Sequence, residues 1–302
     1  MKDSLDPGGY TLPPTLDAQL AALWSEDHFA VDGSDLGFLN MCIAAARPAL
    51  ILEIGTATGL STAALAVMQG HHGIAGTVRS YDLRDVLWFD ETRAVGDLVP
   101  EVAGAEAGRV QLTSGVTALA VAQDVARDAA GMAFIDASHQ HPWPLLDTLL
   151  LLPLLAPRAP VVHHDLQLYR NADNPVGVGP KLLFDQLAPA QRAVASDLGL
   201  GVADVRTPSR SAADNVFLMW RREALGRQGR ELSRGLLLPW TLTDPLEPAL
   251  VAQIAERLRA HYPGEVARNF EIGHARFCDA QARAAARVAP PLRGLRARLG
   301  RA

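Results

Sequence analysis

The 302-residue sequence predicts an α/β fold in which a doubly wound, mostly parallel sheet of seven strands has an antiparallel edge strand. Short apolar, β-branched runs alternate with helical stretches, which is the pattern of strand–helix–strand units. A glycine-rich turn, GTATG, follows the first apolar run, as expected where a strand of such a sheet passes into a helix. Residues 201–207 and 215–222 flank a polar turn, so we expect them to pair antiparallel at one edge of the sheet.

The individual elements follow from the same pattern of apolar runs and breakers. Each predicted strand ends at or beside a glycine or a polar residue, and the helices between strands are rich in alanine or leucine. Because helices of about 10–15 residues separate the strands, the strands are expected to run parallel, with both faces of the sheet covered. The predicted strands are residues 49–54, 77–83, 109–114, 131–136 and 159–164, and the helices between them include residues 61–69, 118–128 and 143–155.

Helical segments are expected on both sides of the sheet. Residues 15–25 and 34–46 predict two helices before the first strand. After the sheet, residues 244–264 have a helix start at Asp244 and Pro245, and a further helix spans roughly residues 265–288. The sequence therefore divides into an N-terminal helical segment (1–46), a sheet domain (47–222) and a C-terminal helical extension with a basic tail (223–302).

Composition excludes several classes of protein. A hydrophobic content of 49% allows a large core, and a formal net charge of −5 argues against binding to nucleic acid. Cys42 and Cys278 are too few for a disulfide framework or a cysteine-rich metal cluster. The N-terminus has no apolar signal segment, and the longest apolar run, residues 145–157, is shorter than the ~20 residues that a membrane span needs. A cytoplasmic protein without a transmembrane segment is expected.

The turn after the first predicted strand indicates a ligand site. Glu53 leads into Gly55 and Gly59, and the second predicted strand ends at Asp82. Ligands of open parallel sheets bind beyond the carboxyl ends of the strands. Dinucleotide-binding turns have the pattern G-x-G-x-x-G, but Ala57 occupies the place of the middle glycine, where the backbone must approach a pyrophosphate. The turn is therefore not typical of a nicotinamide-binding site.

Residues 51–64, ILEIGTATGLSTAA, together with Asp82, resemble the S-adenosylmethionine site of class I methyltransferases. The resemblance implies a Rossmann-like fold and a cofactor that contains no phosphate. It also implies that Glu53 lies near the methionine end of the cofactor and that Asp82 binds the ribose hydroxyls, because a carboxylate can accept two hydrogen bonds from a diol. The implied cofactor-binding residues are Glu53, Gly55, Thr56, Ala57, Gly59, Ser61, Asp82, Gly115 and Asp136.

Two later strand ends, DASH (136–139) and VVHHDL (161–166), carry polar clusters that parallel strands would bring to the same edge. With residues 177–187, these clusters resemble the branch of sugar and macrolide-sugar O-methyltransferases and of relatives of the cephalosporin-pathway methyltransferase component. That resemblance implies His139 as the general base, with Asp136 and His164 beside it as catalytic residues. It also implies a divalent cation on Asp136, His164 and Asp165. The metal-dependent members carry an acid where this chain has His164. The site would therefore hold magnesium, a softer divalent metal, or no metal.

Alternatives to this enzyme remain open in the sequence. The chain could be a non-catalytic subunit or scaffold with a methyltransferase fold. An NAD(P)-dependent oxidoreductase or epimerase is a further alternative, but it agrees less well with the glycine turn. The expected partner is a small-molecule acceptor, with a hydroxyl on a sugar or glycosylated metabolite favoured by the resemblance. The N-terminal segment is expected on the acceptor side, and the N- or C-terminal helices could form a homodimer contact.

Overall fold

The computed structural model describes residues 5–23, 31–172, 174, 176–200 and 214–288. It contains a seven-stranded sheet, whose strands are β1 (Leu50–Ile54), β2 (Thr77–Tyr81), β3 (Val110–Thr113), β4 (Met132–Ile135), β5 (Pro160–His163), β6 (Arg192–Val194) and β7 (Phe217–Trp220). Their order in the sheet is β3-β2-β1-β4-β5-β7-β6. Strands β1 to β5 pair in parallel, and β7 pairs antiparallel with both β5 and β6. This Rossmann-like, doubly wound fold confirms the predicted class.

One edge of the sheet differs in detail from the prediction. Residues 215–222 contain β7, but the antiparallel strand lies second from the edge, and the edge itself is β6. The other half of the predicted pair, residues 201–207, lies outside the described residues. Strand β6 has only three residues, Arg192–Val194. A strand this short has too few positions to show an alternating pattern in the sequence.

The helices cover both faces of this sheet. They are α1 (Pro14–Leu23), α2 (Gly33–Ala46), α3 (Leu60–His71), α4 (Val99–Ala103), α5 (Ala118–Asp124), α6 (Trp143–Leu151), α7 (Gly179–Gln186), α8 (Leu225–Ser233), α9 (Pro248–His261) and α10 (Gly264–Val288). Most predicted helices are present, but α9 begins at Pro248, not at Pro245. A helix begun at Pro245 would place Pro248 in its fourth position, where the N–H that proline lacks is first needed for intrahelical bonding. Helices α4, α7 and α8 were not predicted.

Two buried clusters lie on opposite faces of the sheet. One contains side chains of α1 to α4, and the other contains side chains of α5 to α10. Strand residues alternate between them: Val161 of β5 belongs to the second cluster, and Val162 belongs to the first. The alternation continues past the strand end, because His163 stacks on Phe217 while His164 lies against Phe134. His164 therefore points toward the face that α1 to α4 cover.

The burial of His163 predicts a loss of stability in acid. This histidine is 1% exposed, and burial lowers its pKa to about 3. In the unfolded chain it titrates near its ordinary pKa of ~6.5, so stability falls as the pH drops from that value toward 3. We expect wild type to lose about 2 kcal/mol more than His163→Gln between pH 7.5 and pH 5. Urea unfolding at the two pH values measures this, and equal losses in both proteins would contradict it.

Candidate active site

The glycine turn after β1 lies at the carboxyl ends of the strands, where the chain order reverses between β1 and β4. Gly55 has a φ of 93°, and a Cβ there would lie 2.0 Å from the carbonyl oxygen of Asp136. Gly59 has a φ of 81°, and a Cβ there would lie 2.5 Å from Cγ2 of Val99. Gly59 therefore packs against its own chain, at Val99 and Gly96. Both glycines are required by the backbone conformation and by close packing.

Asp82, directly after β2, accepts hydrogen bonds from the backbone of this turn. Its Oδ2 accepts hydrogen bonds from the backbone N–H of Thr56, at 2.9 Å, and of Ala57, at 3.1 Å. Its Oδ1 accepts from the N–H of Arg84 at 2.9 Å, and the residue is partly exposed. Phosphate-binding turns offer free backbone N–H groups to the ligand. In this turn, two of those groups are already bound to a carboxylate.

Glu53 lies behind the turn. It is completely buried, and its carboxylate accepts hydrogen bonds from the hydroxyls of Ser61 and Thr62 in the first turn of α3. Burial raises the pKa of Glu53 to about 7, although these hydroxyls act in the opposite direction. The predicted residues Glu53 and Ser61 therefore bond to each other and fix α3 against β1.

The remaining predicted cofactor residues also lie at the carboxyl ends of the strands. Gly115, exposed after β3, precedes Val116, whose N–H donates to the carbonyl of Asp82 at 3.0 Å. The N–H of Asp136 donates to the carbonyl of Ile54 at 2.8 Å, which places Asp136 beside the glycine turn. The structure thus brings together the ends of β1, β2, β3 and β4, as the sequence predicted for a ligand site.

The two polar strand ends also meet. Nε2 of His139 lies 3.4 Å from Oδ1 of Asp136 and 3.0 Å from Oδ2 of Asp165. Nδ1 of His164 lies 3.3 Å from Oδ1 of Asp136 and 3.4 Å from Oδ1 of Asp165. Both histidines therefore direct one ring nitrogen at the same two carboxylates.

The geometry of this cluster fits a divalent cation. His139 Nε2 and His164 Nδ1 are both buried, and neither has a partner in hydrogen-bonding geometry despite the nearby carboxylates. Among the described residues, Asp136, His139 and Asp165 form a group whose ligand atoms all lie within 4.8 Å of one another. The predicted ligand set has His164 where this group has His139; Nδ1 of His164 lies outside the group but faces the same two aspartates, at 3.3 and 3.4 Å. A set of nitrogen and carboxylate ligands suits manganese, iron or zinc better than magnesium.

Electrostatic coupling shifts the pKa of every member of the cluster. Burial would lower the pKa of His139, but Asp136 and Asp165 outweigh it and raise that pKa to about 9. The pKa of His164 is raised well above its ordinary value, since the nearby carboxylates likewise outweigh burial. Burial would raise the pKa of Asp136 and of Asp165, but the imidazolium charges hold both below their ordinary values. His139 is therefore protonated at neutral pH unless another positive charge offsets these carboxylates.

Backbone strain marks one residue of the cluster. Asp165 has a φ of 58°, in the left-handed region that non-glycine residues rarely occupy. Its Oδ1 accepts a hydrogen bond from Nδ2 of Asn215 at 3.2 Å. Residues in sparsely populated conformations cluster at functional sites, where the surroundings hold them in place. The backbone conformation and the hydrogen bond from Asn215 together hold the Asp165 carboxylate beside the two histidines.

Two residues of the site were missed in the sequence. Asp35 of α2 lies with its Oδ2 2.9 Å from Nε2 of His164, and Asn215 precedes β7 and contacts both His164 and Asp165. The capping pattern of Asp32 and Asp35 could have located the start of α2. Nothing local could have placed Asp35 beside a residue that follows it by 129 positions.

The strand order, the glycine turn and the acid after β2 define the class of this fold as the Rossmann-like fold of methyltransferases. Residues 52–166 match a protein family described as a methyltransferase domain. The match runs from β1 to the turn after β5, so it includes both the glycine turn and the polar cluster. No curated protein matches the chain at a significant level of sequence similarity.

Solved structures with a similar fold include three with a bound ligand or a named activity. Cofactor-bound Rv0187 from MTB is 22% identical, with 70% of this chain and 91% of that chain covered and a TM-score of 0.47. The O-methyltransferase TomG from Streptomyces achromogenes, in complex with SAM, is 20% identical, with coverages of 70% and 90% and a TM-score of 0.48. An O-methyltransferase from Bacillus cereus, in complex with SAH, is 17% identical, with coverages of 74% and 100% and a TM-score of 0.46.

Among the described helices, none combines the length and the apolar character needed to cross a membrane.

Proposed function

We propose that the protein is an S-adenosylmethionine-dependent methyltransferase that methylates a hydroxyl of a sugar or small glycosylated metabolite. The family match over residues 52–166 supports methyl transfer. The polar cluster beside the glycine turn supports a general base, His139, and a divalent cation on Asp136, Asp165 and His164. The proposal includes the division of the chain at residues 46 and 222, with the N-terminal segment on the acceptor side.

One observation carries the choice of cofactor. The N–H groups of Thr56 and Ala57 donate to Asp82, so they are not free to bind a phosphate, and the carboxylate charge would repel one. A nucleoside without phosphate avoids this repulsion, and its ribose hydroxyls are donors that a carboxylate accepts well. The same observation disfavours an NAD(P)-dependent oxidoreductase, whose pyrophosphate would occupy this turn.

The chemistry requires alignment and the removal of a proton. The methyl group of S-adenosylmethionine is carried on a sulfonium that is already activated. Alignment of the acceptor can therefore supply much of the reduction in the activation barrier, up to about 7–11 kcal/mol in well-oriented systems. His139 would accept the proton of the acceptor hydroxyl, which requires its neutral form. A divalent cation would supply the positive charge that offsets Asp136 and Asp165 and that lowers the pKa of the hydroxyl.

Binding of S-adenosylhomocysteine by isothermal titration calorimetry tests the proposed cofactor. We expect wild type to bind and Asp82→Ala to bind roughly 10–100-fold more weakly, because hydrogen bonds to a charged group are lost. Asp90→Ala is the matched control, since the carboxylate of this loop aspartate accepts hydrogen bonds from the backbone N–H and the hydroxyl of the nearby Thr92. Equal affinity in wild type and Asp82→Ala would exclude Asp82 from the site. Binding without methyl transfer to any hydroxyl acceptor would instead favour the non-catalytic subunit.

A further inference from the structure

The polar cluster has a contact outside the segment that matches the methyltransferase family. Nε2 of His164 lies 2.9 Å from Oδ2 of Asp35, and both side chains are almost completely buried, with exposures of 9% and 7%. Asp35 belongs to α2, which precedes the first strand. The N-terminal helices therefore contribute a charged group to the surroundings of this site.

The carboxylate of Asp35 is held in place by the start of its own helix. Its Oδ2 accepts the N–H of Asp32 at 3.1 Å, while Oδ1 of Asp32 accepts the N–H groups of Ser34 and Asp35 at 2.8 and 2.9 Å. This reciprocal arrangement is a capping box. Since both ends of the arrangement are buried, Asp35 presents its oxygen to His164 in a fixed position.

The contacts of His164 determine which ring nitrogen carries its proton. A lone pair on Nε2 would face the negative oxygen of Asp35 at 2.9 Å, so Nε2 must carry a hydrogen and donate it. Nδ2 of Asn215, 3.2 Å from Nε2, then donates to Asp165 and not to the ring. In a neutral His164 the lone pair is therefore on Nδ1, the buried nitrogen without a partner that faces Asp136 and Asp165.

We propose that Asp35 is a positioning residue that orients His164 so that Nδ1 serves as a ligand atom for the divalent cation. This inference rests on the cation site of the proposed function. Histidine ligands of metals commonly donate their other ring N–H to a carboxylate, which fixes the ring and increases its basicity. With Asp136 and Asp165, Nδ1 of His164 then gives a set of one imidazole nitrogen and two carboxylates, which favours softer divalent metals over magnesium and leaves His139 as the proposed base.

Binding of Co²⁺ to the full-length protein tests this inference, by calorimetry for affinity and by visible absorption for the ligand set. Asp35→Leu removes the acceptor of the Nε2–H, so we expect a loss of affinity of about 10–100-fold and an absorption spectrum that approaches that of His164→Ala. Asp35→Asn keeps an oxygen that can accept the same hydrogen bond, and we expect it to retain most of the wild-type affinity and spectrum.

The control separates a local effect from a general loss of stability. Asp128→Ala breaks the ion pair between Asp128 and Arg221, whose charged atoms lie 2.9 Å apart. Asp128 precedes β4, so this pair lies at the amino-terminal end of that strand, away from the site at its carboxyl end. This variant is expected to bind Co²⁺ as wild type does. Wild-type affinity and spectrum in Asp35→Leu, or in His164→Ala, would overturn the inference. So would a wild-type protein that binds no Co²⁺, and in that case retained binding of S-adenosylhomocysteine would show that the methyltransferase proposal stands without the cation.

Discussion

Replacement of His139 by alanine is expected to lower the rate of methyl transfer by about 10²–10⁴-fold, the usual contribution of a positioned general base. The ring nitrogen Nε2 lies 3.0 Å from Asp165 and 3.4 Å from Asp136, at the edge where the cofactor is proposed to bind. Because these ring contacts of His139 are with two carboxylates, the Kd for S-adenosylhomocysteine should stay within about threefold of wild type, a change of less than ~1 kcal/mol.

Single-turnover kinetics with an acceptor that supports wild-type activity measures this effect, and calorimetry measures cofactor affinity on the same preparations. His71→Ala, which removes an exposed imidazole at the end of α3, is the control and should react at the wild-type rate. A His139→Ala enzyme that transfers methyl groups as fast as wild type would reject this histidine as the base. A parallel loss of cofactor affinity would assign it a structural role instead.

Replacement of Gly55 by alanine is expected to remove cofactor binding and to destabilise the fold by about 2–5 kcal/mol. Two effects add here. A φ of 93° costs an L-residue about 1–2 kcal/mol, and overpacking against a fixed neighbour costs typically ~1–3 kcal/mol. The neighbour is backbone, because a Cβ would lie 2.0 Å from the carbonyl oxygen of Asp136 and 3.0 Å from Cα of Ala137. The turn after β1 and the end of β4 would have to separate.

Gly73→Ala isolates the first of these effects. Gly73 also has a positive φ, 61°, but nothing lies within 4 Å of a Cβ built on it. It should lose only about 1–2 kcal/mol and bind S-adenosylhomocysteine normally. Urea unfolding and calorimetry compare the two variants. Equal stability losses would show that the turn yields to the added methyl group and that close packing of Gly55 is not required.

The sequence predicted the order of elements because each strand of the sheet core carries its own signal. Runs such as residues 49–54 are short, apolar and bounded by a breaker, so they could be recognised without tertiary information. Strand β6 and helix α4 are too short to carry such a signal. The start of α9 was misplaced because both Pro245 and Pro248 suit the first position of a helix. Only a start at Pro248 avoids a second proline at a position whose N–H must bond within the helix.

The candidate site was predictable to the extent that it lies at strand ends. Asp82, Asp136 and His139 follow strands whose carboxyl ends must share one edge, so their proximity followed from the parallel sheet. The roles of Glu53 and Asp35 did not follow. Whether Glu53 contacts a ligand or the hydroxyls of α3 depends on side-chain directions that local sequence does not encode, and the contact of Asp35 with His164 depends on how α2 packs on the sheet.

A crystal structure with bound S-adenosylhomocysteine is the decisive test of the proposed cofactor site. We expect electron density for the nucleoside against residues 55–59, with both ribose hydroxyls within hydrogen-bonding distance of the Asp82 carboxylate and the sulfur directed toward Asp136 and His139. Density at another edge of the sheet, or a nicotinamide dinucleotide that occupies this turn while S-adenosylhomocysteine does not, would contradict it.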